Sequence, residues 1–369
     1  MRDRVTWSSP SNPPATRVAF AAAHVVADPL ADNAPGAPAA IDWDTTLAFR
    51  RHLWSYGFGV ADAMDTAQRG MGLGWAATQE LIRRSAAEAR ACGGVIAVGA
   101  GTDHLGPESA TSGEVIAGYE QQIAVAEDAG ARVILMASRL LAGIARGPDD
   151  YQEVYDRVLG QVSGPVILHW LGPMFDPALV GYWGSTDVDE ATETFLTVIE
   201  QNAEHIDGVK VSLLDAAHEV RLRRALPAGV RMYTGDDFNY PELIRGDEHG
   251  HSDALLGILA AIAPVAAQAL QALDRGDVAT YDRTLAPTLP LARHVFGAPT
   301  FYYKTGIAFL AWLAGLQPGF VMLGGLQSGR SILHLAQIFR LADAAGLLPD
   351  PDLAVARMRA LLDVAGVGG

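Results

Sequence analysis

The chain has 369 residues, half of them apolar, and a mean hydropathy of +0.15, enough to bury a large core. A net charge of −15 and a pI near 5.0 argue against nucleic acid or an anionic membrane as a partner. One cysteine, Cys92, excludes an internal disulfide and any cysteine-based metal cluster, and no apolar run approaches the ~20 residues needed to cross a bilayer.

Residues 1–16 are polar and proline-rich and lack the apolar stretch of a signal peptide, so they read as a disordered or extended tail on a cytoplasmic protein. Residues 18–23 then read as a strand, followed by His24 and a loop through Pro29. Residues 41–56 form a helix capped by Asp42 or Asp44, 57–64 a strand and 75–91 a helix. The alternation continues with a strand at 94–99, a helix at 113–129, a strand at 132–137 and a helix at 149–162. A strand at 165–170, a helix at 187–204, a strand at 205–214 entered through a turn at Asp207-Gly208, and a helix at 216–226 come next. A strand at 230–234 and a short eighth one at 254–261 complete the series. From Pro264 onward the patterns are helical only.

Eight β-α repeats with short connections predict a (β/α)8 TIM barrel, and the missing Gly-x-Gly-x-x-Gly turn after the first strand weakens a dinucleotide fold. The expected organisation is a tail at 1–16, a barrel at 17–262, and a last barrel helix plus helical C-terminal region at 263–369. The apolar tail segments 301–316 and 320–341 predict a homodimer or homotetramer.

Chemistry in such barrels sits at the C-terminal ends of the strands. There the sequence places His24, Asp62, Asp65, Thr66, Thr102, Asp103, His104, Ser138, Arg139, His169, Lys210, Ser212, Asp236, Asp237 and His251. The chain has two lysines, Lys210 and Lys304; every other basic side chain apart from histidine is arginine. Lys210 lies in the middle of an apolar strand, where an ammonium is costly unless it is paired or its pKa falls. A lysine of lowered pKa is a nucleophile able to form a Schiff base with a carbonyl. The plainer reading pairs its head with a carboxylate such as Asp236. His169 ends the neighbouring strand, about 4.8 Å away, and suits a general acid/base; a core histidine bonded to a carbonyl is the alternative. Asp236 and Asp237 are candidates to orient groups around Lys210 or to form a solvated turn after Gly235. Asp103 is a candidate for substrate hydroxyls or for helix capping.

Several stretches resemble the dihydrodipicolinate synthase/N-acetylneuraminate lyase superfamily. They are Gly208-Val209-Lys210, Thr234-Gly235-Asp236-Asp237, Pro165-Val166-Ile167-Leu168-His169, the region 63–73, and Tyr303-Lys304 in the helical tail. The likeness covers roughly residues 17–315, and the chain looks like a dihydrodipicolinate-synthase-like branch of unknown function. That resemblance implies a TIM barrel, usually oligomeric, and class I aldolase or lyase chemistry on a small carbonyl compound, with Lys210 as the Schiff-base lysine and no cofactor or metal. It also implies a substrate-binding role for Thr66, the residue surviving from the family's Gly-Thr-Thr-Gly-Glu loop, with Arg69 as a replacement grip. Ser212, Asp103, Asp236 and Asp237 complete the expected substrate contacts. The family's tyrosine pair after the fourth strand falls on Ser138-Arg139-Leu140, and where the family has a proton-relaying tyrosine after the fifth strand's start this chain offers none, His169 being the nearest candidate. A lyase, aldolase or dehydratase acting on a keto acid or sugar-derived carbonyl is therefore expected. Two alternatives stand beside it. One is a divalent-metal sugar isomerase, epimerase or hydrolase using His24, Asp103, His169, Asp236 and His251. The other is a catalytically silent sugar-binding barrel.

Overall fold

The computed structural model describes residues 5–10, 12–106 and 111–367. Eight strands, hydrogen-bonded in sequence order, close into a barrel. They are β1 (Ala19–Ala22), β2 (Gly59–Asp62), β3 (Ile96–Ala100), β4 (Arg132–Met136), β5 (Val166–Leu171), β6 (Ile206–Ser212), β7 (Arg231–Thr234) and β8 (Asp253–Leu256). The pairings from β3 through β8 are parallel. Between the strands run α1 (Trp43–Ser55), α2 (Trp75–Cys92), α3 (Ser112–Asp128), α4 (Arg139–Ile144), α5 (Pro148–Leu159), α6 (Val188–Gln201), α7 (Ala216–Ala225) and α8 (Tyr240–Arg245). Six helices follow β8: α9 (Leu259–Asp274), α10 (Val278–Leu285), α11 (Leu289–Val295), α12 (Tyr303–Leu313), α13 (Ile332–Ala344) and α14 (Pro351–Val364). This is a TIM barrel with a helical C-terminal region. No helix among the described residues is long and apolar enough to cross a membrane.

The helices start where side-chain caps begin them. Asp42 accepts from Thr45 N–H, Asp187 from the amides of Asp189 and Glu190, and Asp215 from His218 N–H. At α3 a full capping box forms, with Thr111 and Glu114 satisfying each other's orphan amides.

Three expectations need correction. The eighth strand stops at Leu256, and residues from Leu259 belong to α9. That run is apolar on all sides, so its periodicity could not separate strand from helix. Gly257 lies between the two elements, and a Cβ there would lie 2.9 Å from Phe296 Cζ, so a side chain does not fit. Asp207 and Gly208 lie inside β6 rather than in a turn before it; the register slips between Val166 and Ile167 on the facing strand, leaving Asp207 as the extra residue. Finally, the connections are not uniformly short. The one from β5 to α6 carries two 3-10 turns, Pro177–Leu179 and Tyr182–Gly184.

The chain forms two compact units. One gathers the residues up to Val60, Asp65–Gly74, and those from Leu256 on; the other gathers Ala61–Met64 and Trp75–Leu255. Lys210 belongs to the second and Lys304 to the first.

Candidate active site

Register places the central residues. Met136 faces His169, His169 faces Lys210, and Lys210 faces Tyr233 across β4 to β7. Residues in register on parallel strands point the same way, so these four side chains make one tier. The alternate residue Trp170 packs its ring against Phe195 of α6 and His218 of α7, which marks its face as the helix-covered one. His169 and Lys210 therefore point into the barrel. Both are buried, at 3% and 8% exposure.

Ser212 stands one pleat further along β6, and its hydroxyl lies 3.2 Å from His169 Nε2. The Gly172 amide donates to the Ser212 carbonyl at 3.0 Å, tying the ends of β5 and β6 together. The opposite wall is Gly235. Its amide donates to the Val211 carbonyl at 2.8 Å. A Cβ there would run into the Ser212 hydroxyl and sit 2.9 Å from Lys210 Cε. Glycine is thus required because the lysine stem and the serine occupy the space a side chain would take. Burial, and after it the positive charge of Lys210, hold His169 well below the usual histidine range. It is a neutral imidazole at pH 7.

The other expected residues divide. Asp236 is buried, but its carboxylate turns back on its own loop: Oδ1 accepts from the amides of Phe238 and Asn239, and Oδ2 from the Asn239 side chain. Burial raises its pKa. Asp237 is buried at 3% exposure. Asp103 is exposed, and its Oδ1 accepts from Gln122, whose own side-chain oxygen takes the Gly101 amide. Thr66 and Arg69 lie in the other unit, both buried. Thr66 sits in the 3-10 turn Asp65–Ala67 with its hydroxyl 2.7 Å from that of Tyr303. Arg69 forms a backbone bridge with Leu73. Of the residues named for a metal, His24 bonds through Nε2 to Gln317 at 2.8 Å, Asp236 is spent on its loop, and His251 is exposed. Among the described residues no group of three or more His, Cys, Asp or Glu is placed to hold a metal ion.

Sequence reasoning passed over two groups. The first is a wall of tyrosines behind β4. Tyr182 Oη accepts the Ser138 amide at 3.0 Å and lies 2.9 Å from Tyr155 Oη, while Tyr119 donates to the Met136 carbonyl at 2.6 Å. Ser138 in turn caps α4 and lies 2.6 Å from the Thr102 hydroxyl. Burial pushes Tyr119 up to about 12, and raises Tyr155 and Tyr182 well above the usual phenol value, so all three stay neutral donors. Tyr182 comes from the long β5–α6 connection, and no local pattern links it to β4. The second is Glu219 on α7, an acidic residue in a helix that reads as solvent-facing but is 1% exposed.

A family model described as "Protein of unknown function (DUF993)" matches residues 1–367. No curated protein matches the sequence significantly. Solved structures share the fold. Dihydrodipicolinate synthase from Aquifex aeolicus aligns with a TM-score of 0.67 at 13% identity, over 90% of this chain and 99% of that one. The Thermotoga maritima enzyme of the same name gives 0.67 at 14%, covering 90% and 100%. YagE from E. coli K12, a prophage protein of the dihydrodipicolinic acid synthase family solved in complex with pyruvate, gives 0.67 at 16%, covering 90% and 99%. At such identities the likeness establishes the fold.

Proposed function

The chain belongs to the DUF993 family of proteins of unknown function, and from that premise we propose that it is a class I, Schiff-base lyase, aldolase or dehydratase acting through Lys210 on a keto acid or sugar-derived carbonyl. The observation that carries this reading is the Lys210 tier. One of only two lysines in the chain is buried on the barrel's inner face, in register with a neutral histidine and against a glycine that makes room for its stem.

In this reading the Lys210 amine adds to the substrate carbonyl, and the carbinolamine loses water to give an iminium. The iminium draws toward nitrogen the electron pair of the breaking C–C bond in a cleavage, or of an adjacent C–H bond in a dehydration, where the resulting enamine expels the hydroxyl, which takes a proton and leaves as water. His169 accepts and returns the proton, with the Ser212 hydroxyl 3.2 Å away as the group that can pass it on. The charge balance suits this division. An iminium carries the same single positive charge as the ammonium it replaces, so the field that keeps His169 neutral persists through the intermediate. Asp103 and Asp237 are the proposed contacts to the rest of the substrate; Asp236 holds the loop that carries Asp237. The enzyme is proposed to work in the cytoplasm as a homodimer or homotetramer, which light scattering at micromolar concentration checks.

The test is borohydride reduction in the presence of a panel of 2-keto acids and keto sugars, followed by mass spectrometry of the peptide containing Lys210. An adduct on that peptide with at least one compound is the expected result. A panel that leaves Lys210 unmodified throughout would favour a binding protein without Schiff-base chemistry.

A further inference from the structure

We propose that Glu219 is a positioning residue for the Lys210 site, fixing through Thr234 the end of β7 against which the lysine stem rests. The inference builds on the Schiff-base reading. Glu219 lies on α7, and its two carboxyl oxygens meet the hydroxyls of Ser252, at 2.7 Å, and Thr234, at 2.9 Å. Ser252 immediately precedes β8 and Thr234 ends β7, so one buried side chain ties a helix to two neighbouring strands. The link continues toward the site. Thr234 Oγ1 accepts the Asp236 amide at 3.2 Å, and between them sits Gly235, the residue whose bare Cα clears Lys210 Cε and the Ser212 hydroxyl. Whatever moves Thr234 moves the wall of the lysine.

The charged groups facing Glu219 are Arg223, one turn further along α7, and Asp236 beyond the end of β7. Burial pushes the Glu219 carboxyl up to about 8; Asp236 adds to this, while the two hydroxyl bonds and Arg223 oppose it. A carboxyl so raised carries its proton at pH 7 and can donate one of the two bonds, whereas the carboxylate accepts both, from Ser252 and from Thr234. Above pH 8 it becomes a carboxylate that only accepts. Both hydroxyls must then turn their protons toward it, with a buried negative charge close to Asp236.

The experiment uses the full chain and follows reductive trapping on the Lys210 peptide with pyruvate and with dihydroxyacetone as probes, in cyanoborohydride, between pH 6.5 and 9.5. Glu219→Gln keeps the shape and hydrogen bonds of the neutral acid and should match the native rate at pH 7. Glu219→Ala should slow trapping about tenfold. Above pH 8 the native protein should fall several-fold below Glu219→Gln, a divergence that a merely structural residue would not produce. Coincident native and Glu219→Gln profiles up to pH 9.5, or an unslowed Glu219→Ala, would overturn the inference while leaving the Schiff-base reading in place. If Glu219→Ala does not fold, the comparison of native with Glu219→Gln still decides. Absence of trapping on Lys210 in every protein removes both.

Discussion

The chain's two lysines are both buried, one at the start of a helix and one within a strand. Lys304 opens α12, is 1% exposed, and has its charge answered on the spot. Its Nζ lies 2.9 Å from Asp65 Oδ2, donates to the Phe301 carbonyl at 3.1 Å, and stands 4.6 Å from the Tyr303 ring centre and 5.1 Å from that of Phe301. The positive charge is consumed in holding α12 to the 3-10 turn Asp65–Ala67. Lys210 stands on a strand, between a histidine that feels its charge and a glycine that gives it space. Burial alone therefore does not say what a lysine does. What distinguishes the two is the element that carries each and its neighbours: an ion pair and two aromatic rings around Lys304, a neutral histidine and a glycine beside Lys210.

The sharpest way to break this contrast is to exchange the head groups. Lys210→Arg keeps the charge but cannot form an imine, so it should abolish carbonyl trapping while circular dichroism shows a folded protein. Lys304→Met should act on stability instead. Removing one partner of a buried pair leaves Asp65 uncompensated, at a cost of about 3–5 kcal/mol in denaturant unfolding. The double variant Lys304→Met/Asp65→Asn should recover much of that loss, and a failure to do so would show that the pair is not what Lys304 contributes. Next in size, His169→Asn should keep the fold and slow turnover by ~10²-fold, the usual effect of losing a general acid/base. An unchanged rate with an identified substrate would remove His169 from the mechanism.

The last expected effect is a slope. Glu219 is raised from 4.5 to about 8 in the folded chain, so the fold holds a proton that the unfolded chain releases. Its contribution to stability is full below pH 4.5 and is lost as pH rises toward 8. Native stability should accordingly fall relative to Glu219→Gln by roughly 1.4 kcal/mol per pH unit across that window, and no further above it. Parallel stability curves for the two proteins would mean that Glu219 is ionised at neutral pH.

The barrel was legible because its signals are local. Asp42, with the helix it caps, and the β-branched run around Lys210 each report their own element. The end of the eighth strand was not legible because Leu259 and its neighbours are apolar on every side, so their periodicity does not separate strand from helix. The positions of the candidate site residues follow the strands that carry them. Strand position alone puts Lys210, His169 and Ser212 near one another. Asp236 looked like a pocket residue because a carboxylate after a strand fits either role, and only the geometry of its own loop shows where its oxygens go. Tyr182 and Glu219 were invisible for a different reason. Each acts through a partner that tertiary folding supplies, Ser138 for one and Thr234 with Ser252 for the other.

One digestion tests the central contrast directly, because a chain with two lysines reports on both at once. After borohydride reduction with the carbonyl compound that reacts best, mass spectrometry should find the adduct on the Lys210 peptide and leave the Lys304 peptide at its native mass. An adduct on Lys304, or modification of both lysines at similar rates, would contradict the account.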